Sequence, residues 1–192
     1  MAFLAREGYP IASAEYPGYS GNSGSPSEAA LQKSASETEK WVRARWPGHP
    51  LLVVGESIGS APAVWLTSQG RADLLLLDSP FTSLSEVITS IFPWLPGLTI
   101  LNRNPMDNRA SLLAASAVRF LPPTMILVSA YDPIVPVHMG VELADIIPGA
   151  ELVRTDVEGH TALSMDRVHN GQMDSKVLEW IRVHTSSKAS AP

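Results

Sequence analysis

Leu51-Leu-Val-Val-Gly-Glu-Ser-Ile-Gly-Ser60 decides how the rest of the chain is read. An apolar, β-branched run stops at Gly55-Glu56-Ser57-Ile58-Gly59, and the small residues of 61–68 follow in a helical pattern. A strand that feeds a helix through one residue holds that residue in a strained backbone conformation and lifts its side chain out at the carboxyl edge of a sheet. The flanking glycines lack a Cβ, so strand and helix can close around the turn. G-x-S-x-G alone recurs by chance in chains rich in Gly and Ser; its place between an apolar strand and a helix is what gives it weight. The bland alternative is a helix N-cap serine in an ordinary βα turn. Against that stand correctly ordered partners for a nucleophile further along.

Upstream of the elbow, Phe3-Leu-Ala-Arg-Glu-Gly-Tyr9 reads as the last turns of a helix closed by Gly8. Pro10 to Glu15 reads as a short strand, followed by the turn-rich loop of 16–25. Ser25-Pro26-Ser27-Glu28 opens a helix, with Ser25 as cap, Pro26 at the first position and Glu28 completing a capping box. Leu31, Ala35, Val42 and Trp46 continue it, leaving Lys33, Glu37, Glu39 and Arg43 for solvent. Downstream, a helix to about Gln69 precedes a buried strand at Ala72–Asp78. Residues 79–122 are the least regular stretch. A second buried strand, Thr124–Ala130, leads into Tyr131-Asp132-Pro133-Ile134-Val135-Pro136. A helix at about Met139–Ile147 and a strand at Glu151–Val157 reach Glu158-Gly159-His160. The closing helix carries Met173, Val177, Trp180, Ile181 and His184 on one face. Near-continuous apolar strands alternating with helices imply a doubly wound, mostly parallel α/β sheet covered on both faces.

In such a sheet, functional residues gather beyond the carboxyl ends of the strands. Three of those loops carry Ser57, Asp132 and His160. A serine hydroxyl is a poor nucleophile until an imidazole takes its proton, and the imidazole needs a carboxylate to set its tautomer and stabilise its cation. Asp132 has a competing reading as a turn former before Pro133, and His160 as a packed core residue. His138 and His169 are fallback bases, Asp156 and Glu158 fallback carboxylates. Gly18, Gly21 and Gly24 do not follow the dinucleotide-binding spacing and read as turn residues.

These segments bear a resemblance that covers nearly the whole chain. Glu15-Tyr-Pro-Gly-Tyr-Ser-Gly-Asn-Ser-Gly-Ser-Pro-Ser-Glu28, the Gly55-Glu-Ser-Ile-Gly59 elbow, Asp78-Ser-Pro-Phe-Thr-Ser-Leu84, Asp132-Pro-Ile-Val-Pro136 and Glu158-Gly-His160 resemble the α/β hydrolases. More narrowly they are similar to the BEM46-like group, which includes the ABHD13- and ABHD17-type serine hydrolases. The resemblance implies an α/β-hydrolase fold with a small helical insertion at about residues 81–120. It implies Ser57 as nucleophile, Asp132 as acid member, His160 as base and the Ile58 backbone N–H as an oxyanion donor. Ile91, Phe92, Trp94 and Leu95 in the insertion are then expected to line an acyl pocket, with core packing or a membrane anchor as the other readings. Two departures matter. Val128-Ser129 stands where the group often has His-Gly before the acid residue. The group's first strands and its His-Gly oxyanion loop would lie ahead of Met1, so the expected fold is N-terminally truncated and its oxyanion site half built.

Composition sets the remaining bounds. The 192 residues, 45% of them hydrophobic, are enough for one domain at 1–185 with a short tail at 186–192. A net charge of −5 with only 17% charged residues offers no basic patch, so nucleic acid is not an expected partner. The absence of cysteine excludes disulfides and thiolate chemistry. Scattered histidines argue against a metal, and no cofactor is expected. With no spanning segment or leader in the sequence, the expected location is cytoplasmic. Membrane contact is not indicated. An unpaired edge at Leu51–Gly55 would invite strand addition, making a homodimer through that edge the expected self-association. The expected activity is hydrolysis of carboxylic esters or thioesters of a small-molecule or acylated substrate. A serine aminopeptidase or amidase and a weak or inactive relative serving as an interaction module are the alternatives.

Overall fold

Three apolar runs and a more polar fourth strand pair side by side in the computed structural model, which describes residues 2–19, 21–95, 97–163 and 172–186. They are β1 (Leu52–Glu56), β2 (Leu74–Asp78), β3 (Thr124–Tyr131) and β4 (Glu151–Glu158), all parallel and adjacent in chain order. Every β2 residue is buried, as the inner strand of a sheet covered on both sides must be. Alternation then divides the side chains between two cores. Leu74, Leu76, Met125 and Leu127 face α1 (Ala2–Arg6) and the C-terminal helix of 172–186, meeting Phe3, Leu4, Met173, Val177, Trp180 and Ile181. Val53, Leu75, Leu77, Ile126 and Val128 face the opposite layer. That layer holds α2 (Glu28–Arg45), α3 (Ser60–Ser68), α5 (Asn108–Ser116) and α6 (Val137–Ile146). Counting α4 (Leu84–Ile91) between β2 and α5, the C-terminal helix is α7 (Gln172–Ser186).

Three local expectations are corrected. Pro10–Glu15 is not a strand: no ladder bond joins it to the sheet, and β1 has a partner on the β2 side alone among the described residues. An extended segment becomes a strand only when another accepts its hydrogen bonds, and its own sequence cannot supply that neighbour. The cap of α2 is Ser27, not Ser25; Ser27 Oγ accepts from the Ala30 N–H. The Glu28 carboxylate, freed from a capping box, instead accepts the Met106 N–H at 3.1 Å, while the Glu28 N–H donates to Asn104 Oδ1. Glu39, expected in solvent, is buried between Arg43 of its own helix and Arg71 beyond α3. A carboxylate tolerates that burial because both guanidinium groups reach it.

Within 81–120 the chain divides in two. Leu112 of α5 is fully buried between α3 and α6, so this helix is the layer's own β2–β3 crossover. Arg109 of α5 bonds Glu86 of α4 at 2.6 Å and also holds Glu142 of α6, fixing α4 to the body. Between them, Phe92, Trp94, Leu95, Ile100 and Leu101 stand exposed.

Candidate active site

Ser57 leaves β1 with φ +50°, in the left-handed region, and a single 3₁₀ turn of 57–59 joins it directly to α3. Only one of the flanking glycines is sterically required. A Cβ on Gly55 would lie 2.7 Å from the Gly59 carbonyl oxygen and from Ser60 Cα, and 2.8 Å from Ala63 Cβ. A Cβ on Gly59 would meet nothing nearer than the Tyr16 hydroxyl at 3.7 Å, and its own φ of −67° suits any residue. Strand and helix therefore close on Gly55, and that closure holds Ser57 in its unfavourable conformation.

The three residues expected to act together lie in one hydrogen-bonded line. His160 Nε2 is 2.7 Å from Ser57 Oγ, and its Nδ1 is 2.7 Å from Asp132 Oδ2. A carboxylate accepts only, so Nδ1 carries the proton and Nε2 is left to accept from the serine hydroxyl. The other oxygen of Asp132 accepts the backbone N–H groups of Ile134 and Val135 at 2.8 and 2.9 Å. The turn-forming reading of Asp132 and its pairing with His160 thus both hold, one on each oxygen. Burial pushes the Asp132 carboxyl up, but the bonds from His160, Val135 and Ile134 outweigh it and hold its pKa below 3.8. The hydrogen bond to Asp132 raises His160 above the usual 6.5, against the opposing effect of burial, and Asp132, Asp78 and Glu56 add negative charge around it. The imidazole sits at the rim, 19% exposed, and is no core residue.

Ser129, one of the two departures from the family pattern, has a structural use. Its buried hydroxyl donates to the Val157 carbonyl and accepts the Tyr131 N–H, tying β3 to β4 where their register shifts just before Asp132. A bulge at the end of a strand re-aims the following side chain, here the acid. The turn also matters on the histidine side: Gly159 (φ +136°) and Thr161 (φ +67°) fold the chain sharply around His160. Sequence reasoning missed Asp78 and Ser79, whose side chains accept the N–H groups of Leu163 and Ala162 just beyond that turn. The resemblance over 78–84 marked the segment without indicating what it holds.

Ile58, expected to present its backbone N–H, occupies the first turn after Ser57, where N–H groups precede any intrahelical acceptor. Beside Asp132 opens a cavity of about 460 Å³ between the end of α4 and the acid loop, lined by Ser90, Ile91, Ala130, Ile134 and Val137 among others. Of the four residues expected around an acyl chain, Ile91 lines this cavity; Phe92, Trp94 and Leu95 are exposed outside it. Of the fallback groups, His138 also lines the cavity and is not joined to Ser57, Asp156 and Glu158 are exposed on β4, and His169 lies outside the described residues. Among the described residues no cluster of three His, Asp or Glu side chains is placed to hold a metal ion, and no helix is long and apolar enough to cross a membrane.

Comparison with known proteins agrees with this architecture. The family described as TAP-like protein (Abhydrolase_4) matches residues 101–182. An uncharacterized protein of Mycobacterium tuberculosis is 36% identical over 131 residues, covering 67% of this chain and 44% of that protein. The lysophosphatidylserine lipase ABHD12 of Xenopus tropicalis is 29% identical over 163 residues, covering 79% of this chain and 42% of the lipase. The chain thus spans less than half the length of these curated relatives. Among solved structures, the Pyrococcus furiosus esterase Pf2001 superposes with a TM-score of 0.70 at 20% identity, over 95% of this chain and 73% of the esterase. A monoacylglycerol lipase of Paleococcus ferrophilus superposes with a TM-score of 0.56 at 16% identity, over 85% of this chain and 78% of the lipase.

Proposed function

Because this chain belongs to the α/β-hydrolase superfamily, we propose that it is a serine hydrolase cleaving carboxylic esters or thioesters through an acyl-enzyme on Ser57. The observation that carries the reading is the unbroken Ser57–His160–Asp132 line, with 2.7 Å at both links. His160 Nε2 takes the hydroxyl proton as Ser57 Oγ bonds to the acyl carbon, then returns it to the leaving oxygen or sulfur. Water, deprotonated at the same nitrogen, releases the acid and restores Ser57. Asp132 stays ionised throughout, which its low pKa supports, and stabilises the imidazolium. The Ile58 N–H is the oxyanion donor supplied by the elbow, and such a donor contributes about 2.7–4 kcal/mol to the transition state. The cavity beside Asp132, with Ile91, Ile134 and Val137 on its walls, accommodates the apolar part of the substrate. The lipase and esterase relatives favour an acyl ester over an amide.

Labelling with a fluorophosphonate probe tests the reading directly. Wild type should be modified on Ser57, and Ser57→Ala and His160→Ala should not. Failure of the wild type to label while folded would rule out an activated serine.

A further inference from the structure

We propose that Asp78 and Ser79 are positioning residues for His160: together they clamp the backbone that follows the imidazole. The inference extends the hydrolase reading to residues that touch neither substrate nor Ser57.

The geometry begins at β2. Asp78 ends that strand in register with Glu56 of β1, one residue before Ser57. Ser79 then turns into the left-handed region at φ +50°. From this corner Asp78 Oδ2 accepts the Leu163 N–H at 3.2 Å and Ser79 Oγ accepts the Ala162 N–H at 3.3 Å. Both acceptors are buried, with Asp78 0% and Ser79 3% exposed. On the other side of His160, the backbone is held by a long Gly159 N–H bond to the Tyr131 carbonyl, 3.5 Å. The strained corner at Gly159-His160-Thr161 is thus anchored more firmly downstream, and the anchors come from the strand that neighbours the nucleophile's own. That arrangement sets the distance between His160 and Ser57 by the spacing of two adjacent strands.

An acceptor for Leu163 need not be charged, since an asparagine oxygen would serve without burying a carboxylate. Asp78 is costly in its place. Its Oδ1 has no hydrogen-bond partner among the described residues, and desolvation, with the charge of Glu56 adding to it, pushes its pKa up to about 7 against the pull of the Leu163 and Ala162 N–H groups and of His160.

Amide hydrogen exchange, run beside steady-state hydrolysis of a p-nitrophenyl ester, tests the clamp. In Asp78→Ala, exchange at Leu163, and in Ser79→Gly, exchange at Ala162, should quicken at least about tenfold, the loss of one buried bond. In both, kcat should fall about tenfold with KM within about twofold, as for a group that orients the base rather than binds substrate. Asp78→Asn keeps the acceptor: exchange at Leu163 should stay slow and kcat largely recover. Should Asp78→Ala not fold, the other two variants carry the test. Wild-type exchange at Leu163 in Asp78→Ala, or at Ala162 in Ser79→Gly, overturns the inference. Exchange needs no turnover. An inert chain whose exchange quickens in both variants would therefore sink the hydrolase reading alone, and an active chain with wild-type exchange in both would sink the clamp alone.

Discussion

Ser57 and Ser79 end neighbouring strands with the same backbone device and opposite uses. Each follows a residue paired across the ladder, Glu56 with Asp78, and each has φ +50°. Each hydroxyl bonds the segment around His160, Ser57 to the ring and Ser79 to the backbone two residues on. Ser57, however, runs straight into α3 and stays partly exposed, whereas Ser79 runs into Pro80 and is buried. The same backbone conformation thus leaves one hydroxyl partly exposed before a helix and the other buried before Pro80. Strain by itself marks neither role; what surrounds the hydroxyl does.

The largest test of the contrast substitutes glycine, which suits a left-handed φ, at the exposed end. Ser57→Gly should lower kcat by about 10⁴-fold or more yet raise stability by about 1 kcal/mol in urea denaturation, since the strain is relieved and no buried bond is lost. Unchanged turnover would remove Ser57 from the chemistry. Only the Ser57 hydroxyl faces a titrating nitrogen, so pH should govern it. In the proposed mechanism the imidazole must be neutral to react, and its hydrogen bond to Asp132 raises its pKa above the ordinary histidine value. The acid limb of kcat/KM should therefore fall about tenfold per pH unit below a midpoint higher than that of a free histidine, and a midpoint below 6.5 would contradict the Asp132 pairing.

At the Ser79 end the titrating group is Asp78. Its pKa is raised on folding from 3.8 to about 7, so the folded state holds the proton more tightly than the unfolded chain. Stability should be highest below about pH 4 as far as this group is concerned and decline as pH rises to 7, by on the order of 4 kcal/mol. Thermal denaturation across that window should show the decline in wild type and a flatter profile in Asp78→Asn; parallel profiles would mean that Asp78 is not the group responsible. A smaller effect separates the two glycines at the elbow. Gly55→Ala drives a Cβ into backbone at 2.7 Å and should cost about 1–3 kcal/mol or more, whereas Gly59→Ala should lie within about 0.5 kcal/mol of wild type. Equal costs would show that the closure is shared. At the buried end, Ser79→Gly should change stability by less than about 1 kcal/mol, relief of strain offsetting the lost bond; a clear gain like that at Ser57 would mean the Ala162 bond contributes nothing.

What the amino-acid order determined alone is what depends on near neighbours in the chain. Strand-like runs ending in Gly-x-Ser-x-Gly, in Asp-Pro and in Gly-His specify strands with polar side chains just beyond their carboxyl ends. The parallel α/β pattern then places those ends together. Ser57, Asp132 and His160 were legible for that reason, as were Met173, Val177, Trp180 and Ile181 on the buried face of α7. The rest depends on partners remote in sequence. Pro10–Glu15 has strand-like residues and, among the described residues, no strand to pair with. Glu39 is drawn inside by Arg71, 32 positions away. Phe92, Trp94 and Leu95 have the composition of a pocket wall, but α4 and the Asp132 loop enclose the cavity without them. Asp78 and Ser79 acquire their role only because the His160 loop returns across β2, 83 to 85 residues later. Periodicity records which face of an element is buried, whereas hydrogen bonds between distant segments leave no periodic trace, and tertiary structure alone decides them.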